Sequence, residues 1–259
     1  MLSMTQLAVC ALSLLATSAS AVTAYGGGTL TGVIADDVTV GAGHSSIIID
    51  GADIQGTLTF NAIDTGATII IKDTQVAGNG LYFTALLTNC VVMLANVDTN
   101  GLAGSAVGLI MVGLTGSTMT VSGGSLHGAD LGFYTSGSID AASSLAFTNV
   151  AISNTNGNCF RIVSSIAGSL RFIGGSITTP STTHAALALS GVITGSVSVS
   201  GATLTTPAVA MNIVDLQGQL TLTNFAVAAH RALYIQAMTA STVAISGGSY
   251  AGTNQEGIY

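Results

Sequence analysis

Apolar residues recur along this chain in a fixed figure. Two of them alternate, a Gly, Asn or Asp follows, and a third apolar residue stands three positions beyond. The turn member is Gly51, Asp73, Asn96, Gly123, Asn149, Gly174, Gly201, Asn224 and Gly247, at spacings of 22, 23, 27, 26, 25, 27, 23 and 23 residues. Four positions earlier stand Ile47, Ile69, Val92, Met119, Leu145, Leu170, Val197, Leu220 and Val243. Two earlier stand Ile49, Ile71, Leu94, Val121, Phe147, Phe172, Val199, Leu222 and Ile245. Side chains alternate with period two along a strand, so both columns share one face. Gly, Asn and Asp tolerate left-handed backbone best, which predicts a sharp turn after each strand. Three positions later come Ile54, Val76, Thr99, Leu126, Ile152, Ile177, Leu204, Val227 and Tyr250, pointing inward again.

A second apolar segment follows a stretch of variable length, as in Leu81-Tyr82-Phe83, Phe160-Arg161-Ile162 and Leu233-Tyr234-Ile235. A closing element such as Ile193-Thr194-Gly195-Ser196 then feeds the next repeat. Two or three short strands per turn, with constant corners, predict an all-β fold. The form expected is a right-handed parallel β-helix solenoid of about nine coils, 22–27 residues each, with neighbouring strands about 4.8 Å apart. A leucine-rich repeat would need a helix and its own Leu framework, and a propeller blade runs nearer ~40 residues. Helical spacing of apolar residues is approached only before residue 21, so helices are expected to be almost absent after it.

The first 21 residues read as a signal peptide, with an apolar run Leu7–Ala16 and the small-x-small site Ala19-Ser20-Ala21, although Met1–Gln6 carry no Lys or Arg. That run is too short to cross a bilayer of ~30 Å as a helix, and no later segment reads as a membrane span. Residues 22–45 are expected to form an N-terminal cap or first coil and 46–259 the repeats. The ninth coil reaches Gly257-Ile258-Tyr259 as its second strand begins, with no polar cap visible. A solenoid end without a cap exposes apolar core, so the expectation is a fragment of a longer protein or an end that stacks on a partner. The localisation expected is extracellular or cell-surface.

Charged residues are 6 % of the chain against roughly 25 % in ordinary domains, while hydrophobic residues reach 49 %. The solvent faces must therefore be made of hydroxyls and amides rather than ions. Net charge is −7, with only Lys72, Arg161, Arg171 and Arg231 positive, which excludes a phosphate backbone as partner. Of the cysteines, Cys10 falls in the signal segment. Cys90 and Cys159 lie two repeats apart, roughly 9.6 Å by strand spacing, and are expected to be free, buried thiols.

The architecture resembles the pectin-lyase-like superfold. Hydrolases of that group carry Asn-Thr-Asp, a paired Asp-Asp, Gly-His-Gly and Arg-x-Lys on adjacent coils, and its lyases need clustered carboxylates for Ca²⁺ beside a basic residue. Here Asp36-Asp37 is an isolated pair followed by Gly43-His44-Ser45, and Arg-x-Lys is absent. Asp36-Asp37 reads as a solvated turn before Val38-Thr39-Val40. Asp53, Gln75 and Asp98 share a phase and should stack, but three oxygens over three coils are sparse for a 6–8 coordinate ion. Asp50 and Lys72 predict a surface ion pair one coil apart. His44, His127, His184 and His230 fall at different phases and do not converge. His230-Arg231 and Arg161 read as loop decoration rather than an anion site. No catalytic, cofactor-binding or metal-binding residue is assigned.

Five positions before each corner runs an outward column of Ser46, Thr68, Val91, Thr118, Ser144, Ser169, Ser196, Gln219 and Thr242. Ladders of Thr or Ser on a flat β-helix face are used by some ice-binding proteins, although Ile48, Ile70, Met93 and Arg171 interrupt the neighbouring column. Variable loops at Gly101–Ser105 and Thr179–Thr183 lie on one side of the coil and are the first place to look for a binding surface. Repeats such as Gly195-Ser-Val-Ser-Val-Ser-Gly-Ala-Thr-Leu204 resemble those of the large dispersed gene family surface proteins of trypanosomatids over most of residues 45–259. That resemblance implies a surface location and an adhesive role, with no catalytic residues to carry over. The function expected is therefore a secreted or cell-surface, non-enzymatic β-helix in adhesion, surface structure or glycan contact. Its partners would be an extracellular glycan or protein surface, with end-to-end stacking at the last coil. The alternatives are a polysaccharide lyase or hydrolase of the pectin-lyase-like group and an ice-binding protein.

Overall fold

All nine predicted corners carry left-handed backbone, with φ between 47° at Asn224 and 65° at Gly174. The structure, a computed structural model, describes residues 22–25, 28–101, 106–251 and 256–258. The segment read as a signal peptide, Cys10 and most of the Gly101–Ser105 loop lie outside the described residues. Among those described there is no helix, and every strand pairing is parallel. The fold is a parallel β-solenoid of about nine coils.

Each coil presents three outward faces. The first holds the strand before the corner, as in Thr118–Ser122 and Ser196–Ser200, and the second holds the strand after it, as in Ser125–Gly128 and Thr203–Thr205. Together they make a sixteen-stranded sheet. In the first three coils the strand is not broken at the corner: Ser46–Ile54, Thr68–Val76 and Val91–Gly101 run through it. The third face is an eleven-stranded sheet built from the second apolar segments, such as Leu81–Phe83, Leu131–Thr135 and Phe160–Ile162. The closing elements add a line of bridges, Leu114 to Ile139 to Ile166 to Ile193.

Stacking in register turns the sequence columns into a continuous core. Through coils one to eight, the residues four and two before the corner are buried, from Ile47 and Ile49 to Leu220 and Leu222. In the ninth coil Ile245 is 41 % and Tyr250 38 % exposed. Thr99, the polar member of the third column, is buried and accepts the His127 backbone N–H at 3.1 Å. Aromatic rings stack between adjacent coils at 4.6 Å for Phe60–Phe83, 4.3 Å for Phe133–Phe160 and 5.1 Å for Phe147–Phe172. Burying each such side chain stabilises the fold by roughly 1.5–3 kcal/mol, so the inward columns and not the polar faces hold the solenoid together.

One element escaped the repeat pattern. Thr29–Ile34 stacks on Ser46–Ile54 and turns at Gly32, with φ of 80°. Leu30 pairs with Ile49 and Ile34 with Ile54, so this corner is one residue shorter than the others and the register shifts between Leu30 and Gly32. The shortened interval hides the motif in sequence. Cys90 and Cys159 are free and buried, as their phases predict, and burial pushes the Cys159 thiol up to about 12.

Candidate binding faces

The three faces differ in chemistry because register collects different residues on each. On the first face the column from Ser46 to Thr242 stands fully in register. From the fourth coil onward its neighbouring columns are also mostly hydroxyls. Thr118, Thr120 and Ser122 lie across one coil, and Ser196, Ser198 and Ser200 across another. Arg171 and Ile173 interrupt the array in the sixth coil. Along its edge runs a groove of about 600 Å³, lined by Ser144, Ser169, Ser196, Gln219 and Thr242 and containing no charged side chain. Gly168, Gly195 and Gly218 border it for a steric reason. A Cβ on Gly195 would lie 2.0 Å from the Gly168 carbonyl oxygen, and one on Gly218 2.0 Å from that of Gly195.

The second face carries the acidic column. Asp53, Gln75, Asp98 and Ser125 stack in register, as their phases predict. Both carboxylates are engaged within the ladder: Gln55 Nε2 donates to Asp53 Oδ1 at 2.6 Å and Ser125 Oγ to Asp98 Oδ1 at 2.7 Å. Among the described residues no three His, Cys, Asp or Glu side chains come together as metal ligands. In the next column His127 Nδ1 and Ser153 Oγ lie 2.8 Å apart. That distance suits a nucleophile and its base, but a hydrolytic site also needs free N–H donors for the oxyanion. The backbone here offers few: the strands pair on both sides, and the His127 N–H goes to Thr99. The pair reads as ladder polarity.

The remaining candidates fall apart in space. Asp37 opens the strand Asp37–Val40, and its Oδ1 accepts the Thr57 backbone N–H at 2.7 Å. The expected solvated turn is thus a coil-to-coil tie. His44 meets the Tyr25 ring edge-on, while His184 sits in the 179–183 loop region beside Ser181 Oγ at 2.9 Å. His230 borders a separate groove of about 450 Å³ with Pro180 and Pro207. Lys72 Nζ lies 2.9 Å from Asp50 Oδ2, and the hydrogen bond and charge of Asp50 raise the lysine's pKa. Both side chains are exposed, so the pair adds little to stability. Asp140 is held below the usual carboxylate range, chiefly by the Ser143 hydroxyl at 2.5 Å and further by the Gly116 backbone N–H at 3.1 Å.

The third face holds a row that sequence reasoning missed. Thr59, Tyr82, Ile110, Tyr134, Arg161, Ala188, Asn212 and Tyr234 are successive partners along the axis. Each is the middle residue of a second apolar segment, which is the only signal the sequence carries for it. The variable loops before these segments conceal that they share a line. No protein-family model, curated protein or solved structure matches the chain.

Proposed function

We propose that the protein is a secreted or cell-surface β-solenoid without enzymatic activity, acting in adhesion or surface structure through contact with glycans. The observation that carries this reading is the surface itself: in-register ladders of neutral hydroxyl, amide and phenol groups running along the axis. Such faces offer many weak, repeated contacts to a polymer and assemble no acid, base and oxyanion site at one place. The apolar run Leu7–Ala16 before Ala19-Ser20-Ala21 supports secretion, and the likeness of the repeats to dispersed gene family surface proteins supports a surface role. Binding to a glycan array, together with absence of turnover on pectin and alginate with and without Ca²⁺, is the expected result. Product release from either polymer overturns the non-enzymatic reading.

A second reading draws on the first face. Its hydroxyl columns from the fourth coil onward stand in register, interrupted at Arg171 and Ile173, and such a lattice is one that ordered water can match. Thermal hysteresis in a freezing assay would promote ice binding above glycan contact, and its absence would remove that reading.

A further inference from the structure

We infer that the row Tyr82–Ile110–Tyr134–Arg161 on the third face is a binding track for a neutral glycan chain lying parallel to the solenoid axis. The inference rests on the glycan-contact reading above and assigns it to one face. Its first support is the concentration of outward aromatic residues. Six of the seven phenylalanines are buried in the core. Of the described tyrosines, Tyr82, Tyr134 and Tyr234 stand in this one row, and only Tyr25 and Tyr250 lie elsewhere. Tyr82, Ile110, Tyr134 and Arg161 are all partly exposed, each between two buried strand neighbours.

The spacing then selects the class of polymer. Stacked rings in adjacent coils are 4.3–5.1 Å apart, and Tyr82 and Tyr134 are two coils apart, or ~9.6 Å by strand spacing. An extended peptide laid along the axis would bring like-facing side chains every ~6.7 Å, out of step with the tyrosines. In an extended chain of equatorially linked pyranoses, each sugar spans close to one coil and alternate sugars turn the same face outward. Every second sugar can then lay its C–H face on a tyrosine ring, the amphipathic use to which exposed tyrosine is suited.

Polar groups complete the track. Arg161 stands one coil beyond Tyr134 and is partly exposed, so its guanidinium can donate to a ring or hydroxyl oxygen, while its Nε is buried without a hydrogen-bond partner among the described residues. Burial raises the pKa of the Tyr82 phenol and a backbone hydrogen bond with Val107 partly offsets it. Tyr234 is faced by the Arg231 guanidinium at 5.7 Å, which leaves Tyr82, Tyr134 and Arg161 as the centre of the track. Charge argues for a neutral occupant: the chain carries −7 overall and the track a single arginine, too little positive charge to hold a polyanion.

The test is affinity measurement of the full chain on soluble neutral glycans (glucan, xylan, mannan and chitin oligosaccharides), with polygalacturonate and alginate as anionic arms. Tyr134→Ala and Arg161→Ala should each weaken binding by about tenfold or more, while Tyr134→Phe, which keeps the ring, stays within about threefold. Lys72→Gln, in the exposed ion pair with Asp50, should leave affinity unchanged, Ser196→Ala and Thr221→Ala test the first face, and thermal melts confirm that each variant is folded. Binding that survives both third-face variants, is lost with the first-face ones, or prefers the anionic polymers overturns the track and leaves glycan contact standing. No binding of the wild-type chain to any glycan overturns both.

Discussion

The corner between the first two faces and the side that carries the third face obey different rules. Across the corner the interval between inward residues never changes, from Ile47 and Ile54 in the first coil to Val243 and Tyr250 in the ninth. Between the second and third faces the chain spends residues 179–186 in one coil but only 229–230 in another. The corner is constant because two buried strands meet there around a single left-handed residue. Between coils stacked on both sides a one-residue change would turn one of them inside out, whereas the short corner at Gly32, which stacks only on Ser46–Ile54, takes it up as a register shift. The other side is free to vary because its loops run over the surface and need only return the chain in register. Regularity therefore marks the structural side, and the candidate binding row begins where regularity fails.

The largest effect should come from moving length across that divide. One alanine inserted after Gly201 forces either Val197 and Val199 or Leu204 out of the core, and the expected outcome is loss of cooperative urea unfolding or an insoluble product. Two residues inserted after Thr183 should cost well under ~1 kcal/mol in the same measurement, since loop-closure entropy grows slowly with length. Equal tolerance at both sites would show that the corner is not the register-setting element.

A smaller effect is expected from crowding. Gly195→Ala places a methyl against the Gly168 carbonyl of the coil before, where only backbone can yield, and should cost ~1–3 kcal/mol in denaturant melts. Gly201→Val should cost ~1–2 kcal/mol for another reason. Its nearest atom would be Gly174 N at 3.9 Å, so space is adequate and the penalty is the positive φ. Gly201→Asn should be nearly neutral, because Asn96, Asn149 and Asn224 already hold that conformation. A milder loss for Val than for Asn would break the argument from backbone.

The smallest effect concerns pH. Asp140 has a depressed folded-state pKa, so it contributes stability above its unfolded value, and that contribution is lost as pH falls through the lower folded value. Thermal melts of wild type and Asp140→Asn should therefore differ near neutral pH and converge below the ordinary aspartate range of about 3.9. A gap that stays constant through acid would mean that the carboxylate's charge is not what the Ser143 and Gly116 contacts stabilise.

Much of the fold is legible in sequence, and its failures are instructive. The corners and inward columns could be read because period-two alternation and tolerance of left-handed backbone belong to each residue and its near neighbours. The corner at Gly32, within the segment expected to form a cap or first coil, escapes the repeat because it is one residue short, which breaks the spacing by which the others are recognised. The acidic column of Asp53, Gln75 and Asp98 and the hydroxyl column of the first face were legible because both are counted from the corner, across which no loop intervenes.

By itself, the sequence determined the solenoid, its corners, its buried columns and a surface poor in charge, all of which follow from local alternation and composition. Only the tertiary structure decided which outward residues meet on the third face and where the neutral groove lies. Loops of unequal length separate Tyr82, Tyr134 and Arg161 along the chain. Coil-on-coil hydrogen bonding cancels those differences and sets the three side chains in one line.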